Sequence, residues 1–193
     1  MQASDSELQT VFNALRASAN PNVLSRLLRV FSNRPLPEFD SHLIDLCQHS
    51  DSAVRSAAIA ALSMNRNSFI RNFAAEQLSK GSFDVAIKQF VNNFEVGDES
   101  RILKALKFTE GKYEQHSTLM DITKVLEANS HADCSKLALI AYFETPCQLC
   151  RSSAARLLRQ QNAAPNWLID EIAFDAEEQC VNLFSDQDSK IIE

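Results

Sequence analysis

A run of small apolar residues behind an arginine occurs twice in this chain, and the interval between the copies constrains the fold more than any other feature. The first copy is Asp51-Ser-Ala-Val54-Arg55-Ser-Ala57-Ala58-Ile-Ala-Ala61-Leu62. The second, 96 residues on, is Cys150-Arg151-Ser-Ser-Ala154-Ala155-Arg-Leu157-Leu158. Ninety-six is three times 32, and steps of 32 recover the copies between them. Val54, Ala86, Thr118 and Cys150 form one column. Ala58, Phe90, Ile122 and Ala154 follow four residues later, and Leu62, Phe94, Leu126 and Leu158 four after that. All but Thr118 are apolar, so one face of a helix recurs four times. A fixed period of this length is the signature of a stacked helical array, in which each unit buries its apolar face against the next.

Caps and breakers agree with an all-α chain. Pro21, Pro35, Pro37, Pro146 and Pro165 fall between helical patterns or at first-turn positions, where a missing N–H costs nothing. Gly81, Gly97 and Gly111, the three glycines, each follow an apolar pattern, where a left-handed C-terminal cap is expected. Ser4 with Glu7 makes a capping box before Leu8, Val11, Phe12 and Leu15. Asn20 and Pro21 open a second helix, and Asp51 or Ser50 caps a helix over 52–64. Further helices are expected over 39–49, 68–80, 83–93, 98–109, 115–128, 132–143, 147–160 and 165–184. The second helix of each pair then starts near 21, 52, 83, 115 and 147, a rise of about 32 each time. The expected fold is all-α: a right-handed α-solenoid of about five antiparallel helix pairs plus a C-terminal capping helix. It forms a single domain over 1–184 with a polar tail over 185–193.

Asp51, Val54, Arg55, Ala57, Ala58, Ala61 and Leu62 resemble the second helix of a HEAT repeat, of the armadillo-type superfamily. There an acidic turn residue precedes Val-Arg and then small residues that allow close helix packing. Cys150, Arg151, Ala154, Leu157 and Leu158 match that pattern less completely. The middle copies keep the apolar column but carry Ile87 and Leu119 in place of the arginine. The short period resembles the compact bacterial HEAT-like repeats also found in phycobilin lyases. The resemblance implies a structural role for Arg55 and Arg151, each paired with an acidic residue of the neighbouring repeat. It also implies that the second helices line the concave side of the array.

Charge and composition narrow the function. The net charge of −6 argues against a general nucleic-acid binder, whose affinity rests on cations neutralising phosphates. The longest apolar run, Leu137 to Phe143, is far too short to span a bilayer, and no signal peptide is visible at the N-terminus. Five cysteines without a compact framework read as reduced thiols in a cytoplasmic protein.

His131, Cys134, Cys147 and Cys150 have zinc-ligand types and spacings. However, the helix expected between the two pairs is about 16–18 Å long and would hold them apart. The expectation is therefore no metal and no cofactor, with the cysteines as partly buried thiols. Cys147-x-x-Cys150 lies at a helix N-terminus, where a thiol pKa falls, but it lacks the strand that precedes a redox motif. Trp167 is expected to pack between helices.

The remaining candidates lie off the apolar column of the second helices: Arg26, Arg55, Ile59, Arg66, Lys88, Arg151, Arg156 and Arg159. Such a cationic concave stripe on an acidic protein would suit an acidic segment of another protein. The function expected is a non-enzymatic protein–protein interaction or scaffold module. Two alternatives remain open. One is an accessory lyase or chaperone acting on a tetrapyrrole-bearing or thiol-containing partner, and the other is a HEAT-like nucleic-acid-binding protein.

Overall fold

The structure, a computed structural model, describes residues 3–108, 111–174, 181 and 183. Among them the chain is all-α, with eleven α-helices, one 3₁₀ turn and no strand. None of these helices is long and apolar enough to cross a membrane. The chain divides into two compact units, residues 1–94 and 95–193.

The first unit contains α1 (Asp5–Ala17), α2 (Pro21–Arg29), α3 (His42–Leu46), α4 (Ser52–Ser63), α5 (Ser68–Ser79) and α6 (Phe83–Ile87), which runs into a 3₁₀ turn at Lys88–Phe90. The starts of α1, α2, α4 and α5 carry side-chain caps. Ser4 and Glu7 close the capping box on α1, Asn20 accepts the Asn22 and Val23 amides of α2, and Asp51 accepts those of Ala53 and Val54. Gly81, at φ +80°, ends α5 in a Schellman turn. Its amide donates to the Leu78 carbonyl and the Ser82 amide to that of Gln77.

Helices pack in two directions in this unit. Within pairs, α1 meets α2, α3 meets α4 and α5 meets α6; between pairs, α2 meets α4 and α4 meets the 3₁₀ turn. The second helix of each pair thus lies against the second helix of the next. Ala57, Ala58 and Ala61 explain the close approach of α4, because all three are buried and none projects beyond a methyl group. The core joins them to Phe12, Leu15, Leu28, Phe31, Leu43, Leu62 and Ile70, with the Phe12 and Phe31 rings edge-to-face at 6.1 Å.

The second unit contains α7 (Asp98–Ala105), α8 (Lys112–Ala128), α9 (Ser135–Glu144), α10 (Gln148–Gln160) and α11 (Asn166–Ile172). Here α9 packs on α10, α8 on both α9 and α10, and α7 on α9. In this unit first helix meets first helix, α7 on α9, and second meets second, α8 on α10. A carboxylate ties one such contact: Glu99 of α7 accepts the Leu137 amide in the first turn of α9 at 3.0 Å. There the helix leaves an amide unpaired and its dipole favours an anion. Asn162, at φ +51°, ends α10 as Gly81 ends α5. Its amide reaches the Arg159 carbonyl and the Ala163 amide that of Leu158.

Of the twelve column positions, nine are buried; Phe94, Thr118 and Cys150 are half-buried. Several boundaries differ from expectation. The region 39–49 yields only the short α3, which follows a turn in which Asp40 accepts the His42 amide. Only Gly81 serves as a left-handed C-terminal cap. Gly97, at φ +92°, instead abuts the start of α7, and Gly111 has an ordinary negative φ just ahead of α8. The expected final helix is seen as α11, ending at Ile172. Its continuation through Cys180 and Phe184, like the tail 185–193, lies outside the described residues.

A second repeating device holds three of the pairs shut. Asn93 follows the 3₁₀ turn, buried, and donates to the Asn65 carbonyl at 2.8 Å and the Gln89 carbonyl at 2.9 Å. Its own oxygen accepts the Asn67 amide at 2.8 Å. Asn65 does the same after α4, donating to the Ala61 carbonyl and accepting the Leu36 amide. After α10, Gln161 donates to the Ser130 and Ala132 carbonyls and accepts the Cys134 amide. In every case an amide at the end of a second helix clamps the chain entering the first helix of the same pair. Each clamp satisfies backbone groups that helix ends leave open.

Candidate functional site

The eight surface candidates divide sharply by what holds them. Ile59 is 8% exposed and belongs to the core of the first unit, while its carbonyl accepts Gln89 Nε2 at 3.0 Å. It offers no side-chain surface, because the α4 face that carries it meets the 3₁₀ turn. Arg55 is half-buried, and its guanidinium donates to the carbonyls of His49 at 2.7 Å and Ser50 at 3.3 Å. It closes the turn before α4. Arg151 donates to Glu171 of α11 at 2.9 Å and to the Tyr142 hydroxyl at 3.0 Å, and lies over the Tyr142 ring at 4.9 Å. Glu171 is thus an acidic partner of the kind expected for Arg151. Twenty residues after Arg151 stands Glu171; twenty after Arg55 stands Ala75, so Arg55 turns to backbone oxygens instead. Both arginines are structural ties.

The other cations face solvent to different degrees. Arg26 on α2, Arg66 after α4 and Arg156 on α10 are exposed; Lys88 and Arg159 are half-buried. Arg26, Arg66 and Lys88 belong to the first unit, Arg156 and Arg159 to the second. Trp167 is 41% exposed and stacks on Phe143, itself 63% exposed, with ring centroids 4.9 Å apart. It does pack between helices, α11 against the end of α9, but leaves an aromatic edge in solvent.

The thiol groups are arranged differently from the four-residue constellation. Helix α9 separates its two halves, as its ten residues require: about 15 Å lies between its ends. Cys134 is fully buried, and burial first, then Glu99 and Asp133, pushes its thiol up to about 12. His131 is exposed.

Cys147 and Cys150 meet a residue the sequence reading left aside, His116 of α8. The two thiol sulfurs and an imidazole nitrogen all lie within 4.8 Å of one another, and Cys150 Sγ is 3.6 Å from His116 Nε2. All three are half-buried. Cys147 occupies the N-cap of α10. The Cys150 amide lowers its pKa most; burial opposes it, and the Cys150 thiol and the Leu149 amide add to the lowering. No side-chain cap bond of full geometry forms there. Cys150 moves the other way, raised first by burial and then by Cys147. The period could have revealed the meeting. With α8 beside α10, residue 116 falls next to residue 148, between the two cysteines.

Compared with known proteins, the chain matches no family model, no curated protein and no solved structure.

Proposed function

We propose that the chain is a right-handed α-solenoid of HEAT-like helix pairs and works as a non-enzymatic protein–protein interaction module for an acidic segment of a partner. The observation that carries this reading is the side-by-side packing of second helices within each unit, α2 on α4 and α8 on α10. Such stacking builds a firm surface from successive helices, and rigid display lowers the entropic cost of binding an extended partner. Exposed Arg26 and Arg66 in the first unit, and Arg156 in the second, give each unit local positive charge on a chain whose net charge is −6. Arg55 and Arg151 act as structural ties, since their guanidinium groups are engaged within the fold.

The test is co-purification from the native host with the native chain and with a triple variant, Arg26→Glu, Arg66→Glu and Arg156→Glu. All three sites are exposed, so the variant keeps its helical circular dichroism. The reading expects an acidic partner to be retained by the native chain, released by moderate salt and lost from the variant. An identical set of co-purifying proteins in both would overturn it.

A further inference from the structure

We propose that His116, Cys147 and Cys150 form a binding site for one zinc ion, with a fourth coordination position left to water. The site joins α8 to α10, two second helices of neighbouring pairs, and it is independent of the interaction surface above.

The distances fit a tetrahedral ion. Zinc bonds of about 2.3 Å to sulfur and 2.0–2.1 Å to nitrogen place neighbouring ligand atoms about 3.5–3.8 Å apart. Cys150 Sγ and His116 Nε2 already stand at 3.6 Å. The widest separation in the group, within 4.8 Å, needs about 1 Å of closure, which a cysteine rotamer adjustment supplies. Among the described residues no fourth His, Cys, Asp or Glu joins the group.

The surroundings hold the ligands in place before any ion arrives. Gln115, next to His116, donates to the Glu144 carbonyl at 3.1 Å and to its carboxylate at 3.3 Å. This fixes α8 against the turn that carries Cys147. Buried Thr145 accepts the Cys147 amide at 3.2 Å. Such outer bonds orient ligands and stabilise thiolates. The ligand chemistry also selects the ion, because two thiolates and an imidazole favour zinc over magnesium or calcium.

Charge balances at the site. Zinc binding displaces one proton from each thiol, and two thiolates with a divalent ion and a neutral imidazole make a neutral assembly. A neutral assembly suits three half-buried side chains.

The test uses the full chain, reduced with a phosphine and freed of metal. Titration with zinc is expected to saturate at one ion per chain, release about two protons at neutral pH and raise the melting temperature. Cobalt(II) is expected to give a thiolate charge-transfer band and the intense visible bands of a tetrahedral ion. His116→Gln, Cys147→Ser and Cys150→Ser should each weaken zinc binding about tenfold or more. His131→Asn, at an exposed site outside the cluster, should leave it unchanged. Far-UV circular dichroism of each metal-free variant reports whether its helices are intact. Absence of stoichiometric uptake by the native chain would overturn the proposal. So would uptake that survives His116→Gln together with Cys147→Ser.

Discussion

At the scale of single residues, the same side chain takes opposite chemical character according to whether burial or backbone amides dominate its surroundings. Cys47 lies at the end of α3, wholly inside the core, where its thiol faces only the Leu43 carbonyl at 3.7 Å. Burial raises it from 9.0 to about 12. Cys147, at the start of α10, has amides pointing at it and is lowered. This difference has a consequence for stability. A thiol raised in the folded state contributes fully below its unfolded value, and the contribution is lost as pH climbs through the folded value. Stability should therefore decline from about pH 9 towards pH 12, partly through Cys47 and Cys134, which is raised equally. In urea melts across that range, Cys47→Ala should show a shallower alkaline decline than the native chain, after allowing for its lower starting stability. Parallel declines would show that Cys47 has no such role. The lowering of Cys147 was legible from its place at a helix N-terminus, but the rise of Cys47 was not, because in the sequence it is one of five thiols with no distinguishing neighbour. Arg151 was more legible: its pattern implied an acidic partner, and Glu171 is that partner.

At the scale of helices, local chemistry wrote most of the boundaries. Ser4, Asn20, Asp51, Asn67, Gly81 and Pro165 mark helix ends whose caps could be named from the sequence or from its rules. What the sequence concealed was the use of side-chain amides to hold pairs closed. Asn65, Asn93 and Gln161 are spaced 28 and 68 residues apart, off the strict period, and Asn and Gln at helix ends are too common to stand out. Only the backbone partners reveal the role. Asn93→Ala strands the Asn67 amide and the Asn65 carbonyl in a partly buried turn, so it should cost about 1–3 kcal/mol. Its exposed neighbour provides the control. Asn92 makes one bond, to the Ser63 carbonyl at 2.6 Å, and Asn92→Ala should change stability by about 0.5 kcal/mol or less. Equal losses for the two in denaturant unfolding would contradict the clamp.

At the scale of the molecule, one number organises the chain. A residue and its counterpart about 32 positions on occupy like places on like helices, and within each unit those helices touch. The period thus foretold both the buried column and, unrecognised, the meeting of His116 with Cys147 and Cys150. It could not foretell Ile59 inside the core, because alternation around a helix packed on several sides leaves few outward positions. The most direct measurement is a methyl–aromatic and methyl–methyl nuclear Overhauser spectrum of the labelled chain. Like-on-like stacking predicts cross-peaks between Ala58 and Phe90 in the first unit and between Ile122 and Ala154 in the second. If those pairs give no cross-peaks while neighbours within each helix do, the repeated stacking of second helices is contradicted.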